Sequence, residues 1–458
     1  MAYSADPFAK FLAELRLRII MSTNCTATIS RLIRASPSML QQYLADKKYI
    51  QRYIIDYDED MIQDAMAIVL ILRLCRTSKQ APDENTITNA RAVLQDWSIG
   101  QLPHPIQHNS DHVTSQLNEL HNRILFFVED YIIKATASFP PRDYRCLPQV
   151  QQTSADRHLM FKGVKVAPRF NSAYLTASEK KRMFKAFLRH ELMCRASTLF
   201  PDENGLPKRL ISRAESEGIN CVHDYYCSVY GAIFAQCNNA QCSNAQLPSS
   251  SEGMPLETEL MFPDTFHFDA NSYAHKLFPD FAFWFSRLGL DRLADFLRYD
   301  MAKDDEREAL KLQIQYKWFG GGKKHSLGWD MPFGTIFKHP KLSDNIGHDS
   351  PIFNQLDGSF EQVIQWDIAR QRAWVFFDNT RFYPRETTER PNFPSSNLLK
   401  EKCIQETFND EWFYHSYAMK AMRRVKLARE ERDRAGLPEV EWHRACPVLS
   451  SGLSYSGG

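Results

Sequence analysis

Nowhere does the 458-residue chain run to the ~18 consecutive apolar residues that a membrane-spanning helix needs. The opening "MAYSADPFAKFLAELRLRII" also lacks the uninterrupted apolar centre of a secretory signal, because a charge interrupts it every few residues. An intracellular protein, cytoplasmic or nuclear, with no membrane partner is therefore expected. An excess of charge of one sign is missing too: 56 Lys and Arg stand against 55 Asp and Glu. No overall field draws nucleic acid, anionic lipid or an acidic partner, so any such site must be local, and no nucleic-acid partner is expected. Cysteine is sparse, ten in all, and scattered at positions such as Cys25, Cys75, Cys146 and Cys403, which excludes a disulfide framework and implies reduced thiols. No Ser-His-Asp, Cys-His or Gly-rich dinucleotide signature stands in a recognisable context, and no internal repeat period emerges. The expectation is no catalytic residue, no cofactor and no metal.

What the chain does have is material for a core. Hydrophobic residues make up 43%, with 30 Phe, 18 Tyr and 8 Trp, and charged residues 24%, the composition of a folded globular protein. Its length exceeds the size at which one core stops growing, which points to two packed units or one large one with insertions.

The stretch "SRLIRASPSMLQQYL" sets apolar residues at helical spacing on both sides of a proline. Proline suits the first position of a helix and pushes the residue before it out of the α region. Ser36 is thus an N-cap, and Pro37 marks a corner between helices. Ahead of it, "PFAKFLAELRLRII" and "TISRLIRA" read as two short helices. Behind it, Leu40, Tyr43, Leu44, Ile50 and Ile54 predict one helix with a single apolar face. Helical patterning continues over 61–74, 86–96 and 113–137. The span 139–170 is irregular, with "FKGVKVAPRF" extended, and is a candidate sub-boundary. Thr176 and Glu179 have capping-box spacing ahead of "KKRMFKAFLRHELMCRAS". A polar, Ser-rich stretch over 238–257 reads as a mobile loop, "FAFWFSRLGLDRLADFLRYD" as helical, and "RAWVFFDNTRF" as the best strand candidate. A final helix is predicted over 398–435, with Ile404, Phe408, Trp412, His415, Met419 and Met422 on one stripe, before a disordered tail at 447–458. The predicted fold class is mainly α: a short N-terminal helical segment on a large helical body, with a small β or irregular element.

Several motifs fall short of a chemistry. "FGGGKKHS" lacks the first glycine of a phosphate loop, since Lys317 occupies its place. "RHELM" starts like a zinc-protease helix, but Cys194 stands where the second histidine belongs, so His190 and Glu191 read as helix side chains, one of them half-buried. Cys221, His223, Cys227, Cys237 and Cys242 are the densest soft ligands, yet they lack the paired C-x-x-C spacing of zinc sites, and cysteine is a common small core residue. Asp378 and Arg381 fit an ion pair closing a turn. "MRRVKLAREERDR" alternates in sign, as a solvated helix end does.

The run from Phe11 to Ile54, "FLAELRLRII…TISRLIRASPSMLQQYLADKKYIQRYI", resembles the N-terminal F-box-like segment of a large group of fungal proteins. Glu14 and Leu15, Ile19 and Ile20, and the corner Leu32-Ile33-Arg34-Ala35-Ser36-Pro37 carry the match, while Leu12 replaces the proline of the usual opening. "KAFLRHELMCR", "RLGLDRL" and "AWVFFDNTRF" are also similar to segments in the bodies of these proteins. The resemblance implies a segment at 8–54 that docks on a Skp-family adaptor through Leu12, Glu14, Leu15, Ile19, Leu32, Ile33 and Pro37. It further implies a body at 61–436 that recruits an unknown target protein to a Skp-cullin-F-box ubiquitin ligase without catalysis of its own. Two alternatives stay open: a helical interaction protein with no ubiquitin role, and a self-contained helical enzyme using Cys221, His223 or Asp378.

Overall fold

The computed structural model describes residues 6–136 apart from short gaps, 172–200, 209–238, 281–319 and 369–378, with small pieces at 144–148, 159–166, 337–338, 382–383 and 393–394. The described residues are mainly α-helical. Four short helices lead: α1 (Ala13–Ser22), α2 (Thr26–Ala35), α3 (Pro37–Ala45) and α4 (Lys47–Ile54). Three longer ones follow, α5 (Glu59–Thr77), α6 (Glu84–Ser98) and α7 (Asp111–Ala135). Then come α8 (Ala177–Leu199), α9 (Arg213–Asn238), α10 (Phe281–Ser286), α11 (Gly289–Phe296) and α12 (Asp304–Phe319).

Local chemistry sets several boundaries. Ser36 adopts an extended conformation and its Oγ accepts from the Met39 N–H, so the corner at Pro37 forms as the sequence predicts. Thr176 and Glu179 close a full capping box on α8. The single helix expected over 37–54 is instead two, because α3 ends at Asp46 (φ −110°, ψ 18°), which starts a new helical turn and receives the Gln42 side-chain amide at 2.5 Å. "FAFWFSRLGLDRLADF" likewise breaks in two at Gly289, whose φ of +78° needs glycine.

Burial follows the apolar pattern. α5 carries Met61, Ala65, Met66, Ile68, Val69 and Ile71 on more than one face, so it lies inside the bundle, packed on α6, α7 and α8. α8 is more enclosed still, with 14 of its 23 residues buried. α9 packs along α8 and meets α10 through Tyr230 and Phe285. Two clusters result: a small one of Ile20, Ile29, Met39 and Ile50 among α1–α4, and a large one running from Ile55 to Phe377.

Extended pairing among the described residues is confined to pieces of two or three residues, including Leu159–Phe161 antiparallel to Val164–Val166. The expected strand at "RAWVFFDNTRF" is overturned over 372–378. There Ala373 turns left-handed (φ 53°), and Trp374–Phe376 make one 3₁₀ turn with every side chain buried. An aromatic run buried on all sides has the composition of a strand without its backbone. Most of the candidate boundary at 139–170, the loop at 239–257, the predicted helix at 398–435 and the tail lie outside the described residues.

Candidate protein-docking face

The N-terminal helices are held together at their corner. The Asp6 carboxylate accepts from Ser36 Oγ (2.7 Å), the Ser38 N–H (2.9 Å) and the Phe8 N–H (3.0 Å). Those donors, the Ser38 amide first and the Ser36 hydroxyl next, hold the Asp6 carboxyl down at about 2. Arg16 Nε reaches Gln42 Oε1 at 3.3 Å and ties α1 to α3. Among the described residues four apolar side chains are fully buried here, a small core for about 50 residues, and the unit turns much of its apolar surface outward. Phe11, Leu12 and Leu15 stand exposed at the start of α1, Leu12 at 69%. Leu40 and Leu44, one turn apart on neighbouring α3, are exposed as well, Leu44 at 62%. Tyr49 and Tyr53 repeat that spacing on α4. Among the described residues only Ile99, Tyr174 and Leu312 are comparably exposed elsewhere.

The structure divides the residues expected to meet an adaptor. Leu12, Glu14, Leu15 and Pro37 are exposed. Ile19, Leu32 and Ile33 are half-buried against the small core, where their first role is to hold the unit together. Leu40, Leu44, Tyr49 and Tyr53 join the outward face although sequence reasoning did not select them as contacts. The reason is the helix break at Asp46, which no Gly or Pro announces: with it, Leu40 and Leu44 no longer share a helix with buried Ile50.

Of the residues that could have served an enzyme, Cys221 and His223 lie elsewhere and are sealed, whereas Asp378 is partly exposed. His223 places Nδ1 3.2 Å from Ser286 Oγ and Nε2 3.6 Å from Cys227 Sγ. Burial pushes its imidazole down to about 3, so it is neutral near pH 7. The His190 ring lies 5.7 Å away, with its Nδ1 3.6 Å from Cys194 Sγ. Burial likewise drives the thiols of Cys194 and Cys221 upward, which leaves them protonated and unreactive. Among the described residues no three His, Cys, Asp or Glu groups are placed to hold a metal ion, and Cys242 lies outside them.

Both His190 and Glu191 are buried, not one half-buried as expected. The Glu191 carboxylate accepts the Leu290 N–H (2.7 Å) at the start of α11 and the Arg195 Nε (2.7 Å), so it is a structural clamp between helices. Asp378 pairs with Arg182 (2.6 Å) and accepts from Thr176 Oγ1 (2.8 Å), while Arg381 is outside the described residues.

An open cleft lies between α5, α7, α8 and α11. Its charged walls are already engaged: Asp291 bridges Arg123 and Arg195, and Arg123 also holds Glu119. No helix among the described residues is long and apolar enough to cross a membrane.

Compared with protein-family models, curated proteins and solved structures, the chain matches none.

Proposed function

We propose that this protein is a non-catalytic, F-box-like receptor whose N-terminal helices dock on a Skp-family adaptor of a ubiquitin ligase while the helical body recruits a target protein. The observation that carries the reading is the outward apolar face at the start of α1 and along α3, Phe11, Leu12, Leu15, Leu40 and Leu44, on a unit whose core among the described residues is four apolar side chains. Exposed apolar patches of this kind mark interaction surfaces, and amphipathic helices dock by setting such residues into a partner's groove. Sealing of His223, Cys194 and Cys221 in the body supports a recruiting role over a catalytic one.

Co-purification of the full-length chain with a fungal Skp-family adaptor and cullin tests it. Leu12→Asp with Leu15→Asp is the informative variant, because both side chains are exposed and neither belongs to the small core, whereas a change at half-buried Ile19 would also damage the fold. A stoichiometric complex lost in the double variant is expected. A complex that survives it, or no complex with the wild-type chain, overturns the reading.

A further inference from the structure

We infer that the N-terminal face takes an acidic protein surface with an apolar centre. The inference rests on the reading that this face docks a partner, and it names the partner's chemistry. Residues 6–55 hold eight Lys and Arg against three Asp and Glu, although the whole chain is nearly neutral at +1. Residues 6–55 thus carry a net +5 and the rest of the chain −4, and among the described residues this cationic unit also carries most of the exposed large apolar side chains. One of the three acids, Asp6, is consumed internally by Ser36, Ser38 and Phe8.

The cations border the apolar stripes. Arg18 lies one turn beyond Leu15 on α1, Lys10 directly precedes Phe11, and Lys47 follows Leu44 by three residues, all exposed. Arg31 and Arg34 stand exposed on α2, beside the corner at Pro37. An apolar centre with a cationic rim favours a partner of opposite charge, because the rim steers encounter and penalises basic competitors.

A protein fits this face better than an anionic bilayer. Glu14 is exposed in the first turn of α1, next to Leu15 at the edge of the apolar stripe, where anionic headgroups would repel it. A protein surface can meet a single carboxylate with one donor.

The test uses the full-length chain and three probes: a purified Skp-family adaptor, an acidic amphipathic helical peptide of Leu and Glu, and phosphatidylcholine vesicles containing phosphatidylserine. Raising NaCl from about 50 to about 300 mM shortens the Debye length from roughly 14 to 6 Å and should weaken adaptor binding about tenfold or more. The exposed triple variant Arg31→Glu, Arg34→Glu, Lys47→Glu should weaken it by at least a similar factor, with helix content unchanged by circular dichroism. An adaptor complex indifferent to both salt and charge reversal, yet lost with Leu12→Asp and Leu15→Asp, overturns this inference and keeps the docking reading. Absence of any adaptor complex overturns the adaptor reading, and the peptide then decides: charge-dependent peptide binding upholds an acidic partner, and no peptide binding overturns it. Binding to the vesicles alone overturns it in favour of lipid.

Discussion

At the scale of single residues, the clearest demand is made by Glu191 on Gly289. A Cβ at Gly289 would meet Glu191 Oε2 at 2.8 Å, and the backbone there has φ +78°. Gly100 is a built-in comparison, since its φ is +70° but nothing lies within 4 Å of an added Cβ. Gly100→Ala should therefore cost only the left-handed backbone, about 1 kcal/mol. Gly289→Ala adds displacement of a carboxylate that caps Leu290 N–H and holds Arg195, for a total of about 3 kcal/mol. Urea denaturation midpoints of the two variants check this directly. Equal losses would mean that Glu191 yields without cost and that the clamp is not rigid.

At the scale of elements, residues 369–378 act as a strap across α7, α8 and α9. Arg370 donates to Glu217 at 2.7 and 3.1 Å and to Asp224 at 3.1 Å. The Tyr144 hydroxyl donates to the Gln371 carbonyl at 2.5 Å, and the Tyr131 hydroxyl donates to the Arg370 carbonyl. Trp374 to Phe377 fill the large core. Arg370→Met would leave Glu217, 7% exposed, beside Asp224 without its cation, which costs about 2–3 kcal/mol once partial exposure of Arg370 is allowed for. Glu217→Gln added to it should restore part of that loss in the denaturation midpoint, and strict additivity of the two changes would sink the account. The strap also shows where the sequence stops being legible. Helices with a local signal were readable: the Ser36-Pro37 corner, the Thr176–Glu179 box, and the apolar periods of α5 to α8. The strap was misread as a strand because burial on all sides erases periodicity, and its partners Glu217 and Arg182 are more than 150 residues away in sequence. On the outward N-terminal face, Leu12, Glu14, Leu15 and Pro37 were singled out through the F-box-like resemblance, and all four are exposed. Leu40 and Leu44 were not singled out, because no strong breaker such as Gly or Pro announces the stop at Asp46.

At the scale of the whole molecule, the two clusters differ in how they meet acid. Residues 6–55 contain no histidine, whereas the large core holds His121, His190 and His223. Burial pushes His121 down to about 4 and His223 to about 3, and lowers His190 well below its ordinary value. In each case the unfolded chain takes up the proton first, near pH 6.5, so these groups contribute stability that is whole above that pH. The contribution falls as the pH drops toward 4 and then 3, by at most ~1.4 kcal/mol per pH unit for each histidine. Asp224 acts in the opposite sense, because burial raises it to about 6 and the folded state protonates it before the unfolded one does. Among the described groups of the body, three histidines oppose one raised carboxylate between pH 6 and 4, and the lowered carboxyls of Glu215 and Asp58 add to the histidines' side, so the net effect is loss. All eight tryptophans lie beyond residue 55, which makes tryptophan fluorescence a reporter of the body alone. Urea titrations followed by fluorescence should therefore show the midpoint falling steadily from pH 7 to pH 4.5. His121→Leu should flatten that slope even if the variant is less stable at pH 7, since it removes one of the titrating groups while leaving an apolar partner for Phe184, on which the imidazole stacks at 4.9 Å. A midpoint that is flat or rises toward acid would show that the buried histidines are protonated in the folded body, and that its core is more open to water than the packing of α5, α8 and α9 implies.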